Sequence, residues 1–306
     1  MTVIARDDRV RGVTILDLAH PEGVVTPSWE PGAHIDVRLP DGRHRSYSLC
    51  GEPGSPVWRI AVRRSGRADG GSAWVHETLT TGATLLARAP RNHFALEPAE
   101  RYLFIAGGIG ITPILPMLQV ADAAGADWRL AYVGRGAERM AFRDELSRYG
   151  DRVHVFDTRR QGRPDLAALA AWHGDGGLVY LCGTEGLIDA ARRRWGREGD
   201  TPLRVEAFTP AASGAAAEAF EAELAASGVT VDVPADRSLL QAAEAAGAFV
   251  LSSCQEGTCG TCETVVLAGT VDHRDSVLTA AERSRGDRMM ICVSRAAPGQ
   301  RLVLDL

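Results

Sequence analysis

Hydrophobic and polar positions change their period along the chain. In the first hundred residues they alternate with a period of two, as in VRGVTILDLA, AHIDVRLP and PVWRIAVRR. Between about 100 and 208, apolar runs such as YLFIAGG and LVYLCG alternate with helical segments such as PDLAALAAW. Short strand patterns return near the end of the chain. This order predicts an all-β domain over 1–99, a parallel α/β domain over 100–208 and a small β-rich domain over 219–306.

The small residues of TPAASGAAAEA predict an interdomain linker over 209–218. In the last domain, GVTVDVP (228–234) alternates like a strand, and SLLQAAEAAG (238–247) begins with Ser and ends with Gly like a short helix. MMICVSRA (289–296) reads as a strand that carries Cys292. These short elements fit a small independent domain.

Composition and charge exclude several classes of protein. The 306 residues are 45% hydrophobic and 24% charged, as in globular proteins. A net charge of −5 argues against a general nucleic-acid binder, and the complete absence of Lys excludes a Schiff base and a P-loop. No apolar run is long enough to span a membrane, and MTVIARDDRVRG lacks the apolar core of a secretory signal. We therefore expect a soluble, cytoplasmic protein.

The negative charge is concentrated near the end of the chain. Residues 219–306 contain 12 acidic and 7 basic side chains, a balance of −5 that equals the balance of the whole chain. Residues 1–218 are therefore neutral overall. We expect the acidic domain to meet a basic surface on any protein partner.

Four of the six cysteines lie in the last 53 residues. Cys254, Cys259 and Cys262 have the spacing C-x4-C-x2-C, and 29 residues separate Cys262 from Cys292. Four thiolates with this spacing are typical ligands of a plant-type [2Fe–2S] cluster. The alternatives are a zinc site, which usually has two Cys-x2-Cys pairs, and a redox-active dithiol, which would leave two of the four cysteines unexplained. Around this set the domain resembles a plant-type ferredoxin with a β-grasp fold.

Two short segments of the first domain contain groups that can bind a cofactor. Arg45, Ser46, Tyr47 and Ser48 put a guanidinium, a ring and two hydroxyls on one strand, with alternate residues on opposite faces. Arg suits a phosphate, Tyr a planar ring and hydroxyls a heterocycle edge. The second segment, GRADGGSAWV, is a Gly-rich loop before a helix, and it can receive a phosphate. Each segment read alone is equally an ordinary strand or loop.

The α/β domain has its own Gly-rich turn, GGIGITP (107–113), between the first strand and a helix. It lacks the G-x-G-x-x-G pattern, but its position lets backbone N–H groups meet a pyrophosphate. A tight turn without a ligand is the alternative. Arg135, near the end of the second strand of this domain, can bind a 2′-phosphate or stack on adenine.

The order of RSYSL, DGGSAWV, PRNHF, AGGIGITPI, YLCG, EAF and the cysteine set resembles the phthalate dioxygenase reductase and vanillate O-demethylase reductase family. The resemblance covers essentially the whole chain. It implies an antiparallel β-barrel flavin domain, an α/β parallel-sheet NAD domain like that of ferredoxin reductases, and a C-terminal β-grasp ferredoxin domain. The loop GRADGGS is longer than the compact form GRGGS, and Thr184 stands where many relatives have Pro.

The resemblance also implies roles for individual residues. Ser48 and Cys182 would lie beside the reacting atoms as catalytic residues. The flavin, FMN with FAD as the alternative, would contact Arg45, Ser46, Tyr47, Ser48, Val62, Arg63, Gly71 and Ser72, with Phe208 covering it. The nucleotide, NADH with NADPH as the alternative, would contact Gly108, Gly110, Thr112, Pro113, Arg135, Cys182 and Gly183. The metal ligands would be Cys254, Cys259, Cys262 and Cys292.

The function implied is an electron-transfer oxidoreductase. A flavin between NADH and the cluster accepts a hydride and releases electrons singly. The final acceptor would be an oxygenase component, either a Rieske-type ring-hydroxylating or O-demethylating enzyme or, as the alternative, a cytochrome P450. A cluster-based redox sensor is a more distant alternative, although the chain shows neither a DNA-binding helix pair nor a basic face.

Overall fold

The computed structural model describes residues 1–22, 24–66, 70–174, 176–196, 201–209 and 217–306. These residues form two compact units, Met1–Phe208 and Thr209–Leu306. Residues 210–216 of the predicted linker lie outside the described part, so the linker stays a prediction. The predicted boundary at residue 99 also stays a prediction, because residues 1–208 form one compact unit. Within the described ranges, no helix is both long and apolar enough to cross a bilayer.

The first half of unit Met1–Phe208 is antiparallel. Its elements are β1 (Thr2–Asp7), β2 (Val13–Ala19), β3 (His34–Arg38), β4 (His44–Ser48), β5 (Val57–Arg63) and helix α1 (Gly71–Thr78). Strands β1, β2 and β5 form one sheet, β3 and β4 form another, and a bridge between Leu49 and Ile60 links the two. The alternating apolar side chains meet inside, where Leu16, Trp58 and Ile60 are buried.

The second half of this unit is a parallel sheet with helical connections. Its elements are β6 (Arg101–Gly107), α2 (Ile111–Ala123), β7 (Asp127–Gly134), α3 (Arg143–Leu146), β8 (Val153–Asp157), α4 (Thr158–Gln161), α5 (Leu166–His173), β9 (Leu178–Gly183), α6 (Glu185–Trp195) and β10 (Leu203–Ala207). The strand order is β10-β9-β6-β7-β8. Strands β6 and β9 are neighbours in space but not in sequence, so the chain reverses its direction of winding between them. Open α/β sheets bind ligands at the carboxyl ends of such strands.

Glycines allow the carboxyl ends of β6 and β9 to meet. A Cβ added to Gly107 would lie 2.9 Å from the Cα of Gly183, and one added to Gly110 would overlap the carbonyl oxygen of Cys182. The two strand ends therefore touch through backbone atoms alone. This packing alone explains why position 110 is a glycine.

Unit Thr209–Leu306 is a mixed sheet with helix α7 against it. Its elements are β11 (Phe220–Leu224), β12 (Val229–Val233), α7 (Leu239–Ala245), β13 (Glu263–Ala268), β14 (Val271–Asp272), α8 (Ala280–Arg285), β15 (Arg288–Met290), β16 (Arg295–Ala296) and β17 (Leu302–Leu304). The five-stranded order is β12-β11-β17-β13-β15, with β11 and β17 parallel. Helix α7 begins with the predicted Ser, because the side chains of Ser238 and Gln241 cap each other's backbone N–H groups.

The prediction that Cys292 lies on a strand over 289–296 is wrong. Strand β15 ends at Met290, and the backbone N–H groups of Val293 and Ser294 both donate to the Met290 carbonyl oxygen, at 3.1 and 2.9 Å. These bonds form a turn, and β16 begins only at Arg295. The turn lets Cys292 point toward the other three cysteines, which an extended strand would not.

A buried arginine holds together the beginning of this unit. Arg295 is 5% exposed, and its guanidinium donates to the carbonyl oxygens of Glu218 (3.0 Å), Pro234 (2.8 Å) and Arg237 (2.7 Å). It also lies 4.9 Å from the ring centroid of Phe220. One side chain thus joins the segment before β11 to the loop after β12.

We expect Arg295→Met to lower the free energy of unfolding of this unit by about 2–4 kcal/mol, since a buried guanidinium's hydrogen bonds to three carbonyl oxygens are lost. Hydrogen–deuterium exchange of the β11 and β12 amides measures the change. The control Arg301→Met removes exposed ion pairs with Glu221 and Glu223 and should cost about 1 kcal/mol or less. Equal exchange rates in the two variants would contradict the role given to Arg295.

Candidate functional site

The four predicted metal ligands come together in unit Thr209–Leu306. Cys254, Cys259, Cys262 and Cys292 are between 3% and 6% exposed. Thiol contacts join Cys254 to Cys259 and to Cys292, and Cys262 to Cys292. The loop and the turn after β15 therefore enclose one group of four sulfur atoms.

The backbone of the loop turns its N–H groups toward sulfur. Gln255, Gly257 and Gly260 have φ values of 55°, 70° and 72°, in the left-handed region that glycine adopts most easily. The N–H groups of Glu256 and Thr258 donate to the Cys254 sulfur at 3.3 and 3.5 Å. Such N–H donors stabilise a negatively charged sulfur, so this loop is shaped for thiolates.

The thiols influence one another's ionisation. Contacts with the thiols of Cys259 and Cys292 hold the pKa of Cys254 far below its usual range, and the same contacts raise the pKa values of Cys259 and Cys292. A set of four thiols in mutual contact does not ionise independently without a cation. Four buried sulfur donors with N–H groups directed at them fit a [2Fe–2S] cluster, which would be held by these four residues.

The predicted flavin phosphate site lies where β4 faces the start of α1. A Cβ added to Gly71, the first residue of α1, would lie 2.7 Å from Cγ of Arg45. The Ser72 hydroxyl accepts a hydrogen bond from the backbone N–H of Ser65 (3.0 Å), and its oxygen is 2.8 Å from the Ser65 hydroxyl oxygen. No side chain caps the helix at Gly70. A guanidinium beside an uncapped helix start suits a phosphate. Residues 67–69 of the predicted loop lie outside the described part.

Along β4, the two serines differ in their contacts. The Ser46 hydroxyl donates to the buried carboxylate of Asp36 at 2.6 Å, so it belongs to the scaffold. Ser48 is 5% exposed, and within the described ranges its hydroxyl has no hydrogen-bond partner. Burial also raises the pKa of Tyr47, so its phenol stays neutral. A buried hydroxyl without a partner fits a ligand edge at Ser48.

The two predicted flavin contacts on β5 pair with strand β2. Val62 pairs with Thr14, and Arg63 pairs with Val13. The Val62 carbonyl oxygen also lies 2.9 Å from Nε2 of His76 on α1. His76 was not predicted to take part, although it lies in the same helix as the phosphate site. It fixes α1 against β5 and so positions the helix start.

The nucleotide residues gather at the reversal between β6 and β9. Gly108 and Gly110 follow β6, Thr112 and Pro113 lie in the first turn of α2, and Cys182 and Gly183 end β9. The Thr112 hydroxyl donates to the Ile109 carbonyl oxygen at 2.9 Å, so it closes the turn. This edge brings six of the seven predicted residues together.

The seventh nucleotide residue, Arg135, and the predicted flavin contact Phe208 directly follow two other strands. Arg135 follows β7 and is exposed; its carbonyl oxygen accepts from the Arg159 guanidinium at 3.2 Å. Phe208 follows β10 and is 39% exposed. Both stand at the same carboxyl edge of the sheet as the glycine turn.

Sequence reasoning gave no role to Glu206 within the motif EAF. It pairs with Cys182 across β10 and β9, and its Oε2 lies 3.9 Å from the Cys182 sulfur. Desolvation raises the pKa of Glu206 to about 8, and it raises the pKa of Cys182 well above its usual value. Both groups are thus neutral and protonated near pH 7. Parallel pairing of the motifs YLCG and EAF was the signal that could have revealed this pair.

Comparison with known proteins identifies relatives of this chain. Residues 222–297 match the family model described as 2Fe-2S iron-sulfur cluster binding domain, and residues 98–173 match the model described as adenylate-forming reductase 03009, C-terminal domain. Phenoxybenzoate dioxygenase subunit beta of Ectopseudomonas oleovorans is 41% identical over 298 residues, covering 96% of this chain and 93% of that protein.

Two solved structures resemble the whole chain. Phthalate dioxygenase reductase, described as a modular structure for electron transfer from pyridine nucleotides to [2Fe–2S], has a TM-score of 0.72 and 33% identity, with 100% of this chain and 97% of that chain covered. An intact type IV self-sufficient cytochrome P450 monooxygenase has a TM-score of 0.89 and 42% identity. The comparison covers 100% of this chain but only 40% of the longer P450 chain.

The fold and the sulfur site define an electron-transfer reductase. The chain belongs to the phthalate dioxygenase reductase and vanillate O-demethylase reductase family. Membership confirms the predicted fold class, with its flavin β-barrel, α/β NAD domain and β-grasp ferredoxin domain. It also confirms the predicted function as an oxidoreductase that carries electrons from a nicotinamide nucleotide through a flavin and a [2Fe–2S] cluster.

The raised pKa of Glu206 predicts a pH-dependent stability. Between its unfolded pKa near 4.5 and its folded pKa near 8, the folded protein binds more protons than the unfolded chain, so stability falls as pH rises through this window. We expect Glu206→Gln to become progressively more stable than the parent between pH 5 and pH 9. All six Trp residues lie in unit Met1–Phe208, so denaturant unfolding followed by Trp fluorescence reports on this unit.

Glu100→Gln, which changes an exposed carboxylate, is the matched control and should follow the parent at every pH. A difference between Glu206→Gln and the parent that does not vary with pH would contradict the raised pKa of Glu206.

Proposed function

We propose that this reductase takes a hydride from NADH onto FMN and delivers single electrons through its [2Fe–2S] cluster to a Rieske-type oxygenase. The observation that carries the proposal is the group of four buried thiols in a unit of its own, next in sequence to a unit with a flavin-type and a nucleotide-type site. The sparse cysteines, most of them cluster ligands, favour a reducing, cytoplasmic location.

For the flavin, three groups of unit Met1–Phe208 are assigned roles. Arg45 and the start of α1, at Gly71 and Ser72, bind the phosphate. Tyr47 presents its ring as a neutral apolar surface, and the Ser48 hydroxyl donates to the reacting edge, because it is buried without a protein partner. Glycine at position 71 lets Arg45 pack against the helix start, since a Cβ there would lie 2.7 Å from Cγ of Arg45. Release of the flavin by heat and measurement of its mass distinguishes FMN from FAD.

At the sheet edge, the backbone at Gly108 and Gly110 receives the nucleotide, and the neutral pair of Cys182 and Glu206 borders the position of the nicotinamide. A neutral pair suits this place because it adds no charge beside a ring whose charge changes during hydride transfer. Phe208, which is partly exposed, can cover the flavin until the nucleotide enters.

Preference for NADH is supported by the segment after β7. The Arg159 guanidinium is engaged by the carboxylate of Glu138 and by the Arg135 carbonyl oxygen. A carboxylate here repels a 2′-phosphate and neutralises the cation that would otherwise bind it. A higher kcat/KM with NADPH than with NADH would contradict this preference.

A cytochrome P450 partner is the second candidate. It is favoured by the likeness to the self-sufficient P450, because a segment similar to this whole chain makes up 40% of that P450 polypeptide. The Rieske-type partner is favoured by relatives that are separate subunits of similar length, such as the phenoxybenzoate dioxygenase subunit beta. NADH oxidation coupled to product formation, measured with one purified oxygenase of each type, separates the two.

We expect Cys259→Ser to abolish NADH-driven reduction of cytochrome c while NADH still bleaches the flavin. The cluster loses one of its four sulfur ligands, whereas Cys259 lies in a different unit from the flavin site. Stopped-flow absorbance follows the flavin, and steady-state assays follow cytochrome c. Cys50→Ser, a buried thiol outside the ligand set, is the control and should retain both reactions. Flavin that NADH fails to bleach in the parent would overturn the proposed function.

We also expect electron transfer to the oxygenase to slow as salt rises. Residues 219–306, which contain the four cluster cysteines, carry a net charge of −5, so docking on a basic surface is screened by ions. The rate of oxygenase reduction between 50 and 500 mM salt measures the effect. The internal control is the rate of cluster reduction within the chain, which involves no encounter between proteins. A rate of oxygenase reduction independent of salt would argue against electrostatic docking.

A further inference from the structure

Unit Thr209–Leu306 contains a buried carboxylate outside the ligand set. Asp275 is 0% exposed, whereas every other acidic side chain described in 217–306 is at least partly exposed. Its carboxylate accepts hydrogen bonds from the backbone N–H groups of Val277 (3.0 Å) and Leu278 (2.8 Å) and from the Ser294 hydroxyl (3.4 Å). A buried carboxylate is costly unless such bonds and a cation compensate it, so its position needs a reason.

The compensating cation is Arg283 of α8. Its Nη2 lies 3.7 Å from Oδ2 of Asp275 and donates to the Asp275 carbonyl oxygen at 2.5 Å. His273 has its Nδ1 3.7 Å from Oδ1, but burial lowers the pKa of His273, so it contributes little positive charge near pH 7. The negative charge of Asp275 is thus balanced by one arginine.

Asp275 lies directly behind the cluster loop. The N–H of Ser276 donates to the Gly257 carbonyl oxygen at 2.8 Å. A Cβ on Gly257 would lie 3.2 Å from the Asp275 Cα and 2.5 Å from a methyl group of Val293, so the loop packs closely on both segments. The backbone at Gly257 is part of the turn that directs the N–H groups of Glu256 and Thr258 at the Cys254 sulfur.

The same carboxylate bonds to the segment that contains the fourth ligand. Ser294, which donates to Asp275, lies two residues after Cys292 and also accepts from the Arg274 N–H at 3.1 Å. The backbone of Asp275 and Ser276 thus contacts the loop that contains three cysteines, while the Asp275 side chain bonds to the turn that contains the fourth. These two parts of the chain are 30 residues apart in sequence, and the sulfur set is complete only when they are aligned.

We propose that Asp275 is a positioning residue of the [2Fe–2S] centre, which aligns the cluster loop with the Cys292 turn and adds a fixed negative charge beside the cluster. The inference rests on the cluster assignment. Removal of the charge favours the reduced cluster, which is the more negative form, and so raises its reduction potential. Removal of the positive charge of Arg283 should lower the reduction potential.

The test uses the full chain with its cofactors and the variants Asp275→Asn, Arg283→Met and Asp272→Asn. Asp275→Asn retains the shape of the side chain, and Asp272→Asn is the matched control, because Asp272 is three residues away, is 33% exposed and pairs with Arg274. The readouts are iron and sulfide content, visible circular dichroism, the paramagnetic resonance spectrum of the reduced cluster and its potential.

We expect Asp275→Asn to change both spectra, raise the potential and lower cytochrome c reduction about 10-fold, with flavin reduction by NADH unchanged. Arg283→Met should lower the potential, and Asp272→Asn should match the parent. If Asp275→Asn fails to fold, Arg283→Met decides the question.

Unaltered spectra and potential in folded, iron-loaded Asp275→Asn, or in Arg283→Met where the former does not fold, would overturn the inference and leave Asp275 as a stabiliser of the fold alone. A parent protein without iron and sulfide would instead overturn the cluster assignment, and this inference with it.

Discussion

The meeting of four thiol groups in one buried place is the constraint on which the molecule depends. No single helix or strand presents four sulfur atoms to two metal ions, so the chain needs a loop with left-handed residues and a turn from a distant segment. The rest of unit Thr209–Leu306 serves this requirement. Its sheet pairs β13, which begins directly after Cys262, with β15, which ends two residues before Cys292, and the capped helix α7 covers the core with its apolar face.

Unit Met1–Phe208 meets a different requirement, since it has to bring two planar ligands together. Its antiparallel half offers a guanidinium, a buried hydroxyl and a helix start, and its parallel half offers a sheet edge made of glycine. The two halves share one apolar cluster, which contains Val13 and Ala61 of the first and Phe104 and Tyr180 of the second. This shared core makes the two halves a single compact unit and fixes the spacing of their sites.

Much of this could be predicted from the sequence, for physical reasons that differ between sites. The cysteine spacing identified the cluster, because metal coordination needs particular atoms at particular intervals. The alternation of strands and helices gave the parallel sheet, and the order of short motifs gave the family. The strand assigned to 289–296 was wrong, because an apolar run does not show that a turn must break it to direct Cys292 inward.

Contacts between residues far apart in sequence were beyond such reasoning. Glu206 acquires its raised pKa only through the desolvation that the folded domain imposes, and Asp275 acquires its importance only through Ser294 and Gly257. Ser46 is the opposite case. It was predicted to contact the flavin, but its hydroxyl donates to Asp36, which the local pattern did not reveal. Side chains whose partners lie in other elements are visible only once the fold is known.

The backbone contact between the ends of β6 and β9 also limits how this protein can be changed. Gly107 and Gly110 have no room for an additional carbon atom and Gly183 has little, so directed evolution has few substitutions to explore there. The exposed side chains of Arg135 and Glu138, after β7, and of Arg159 on α4 have no comparable restriction. Efforts to engineer a reductase that accepts another nucleotide, or a synthetic analogue of one, therefore have their accessible positions at these side chains.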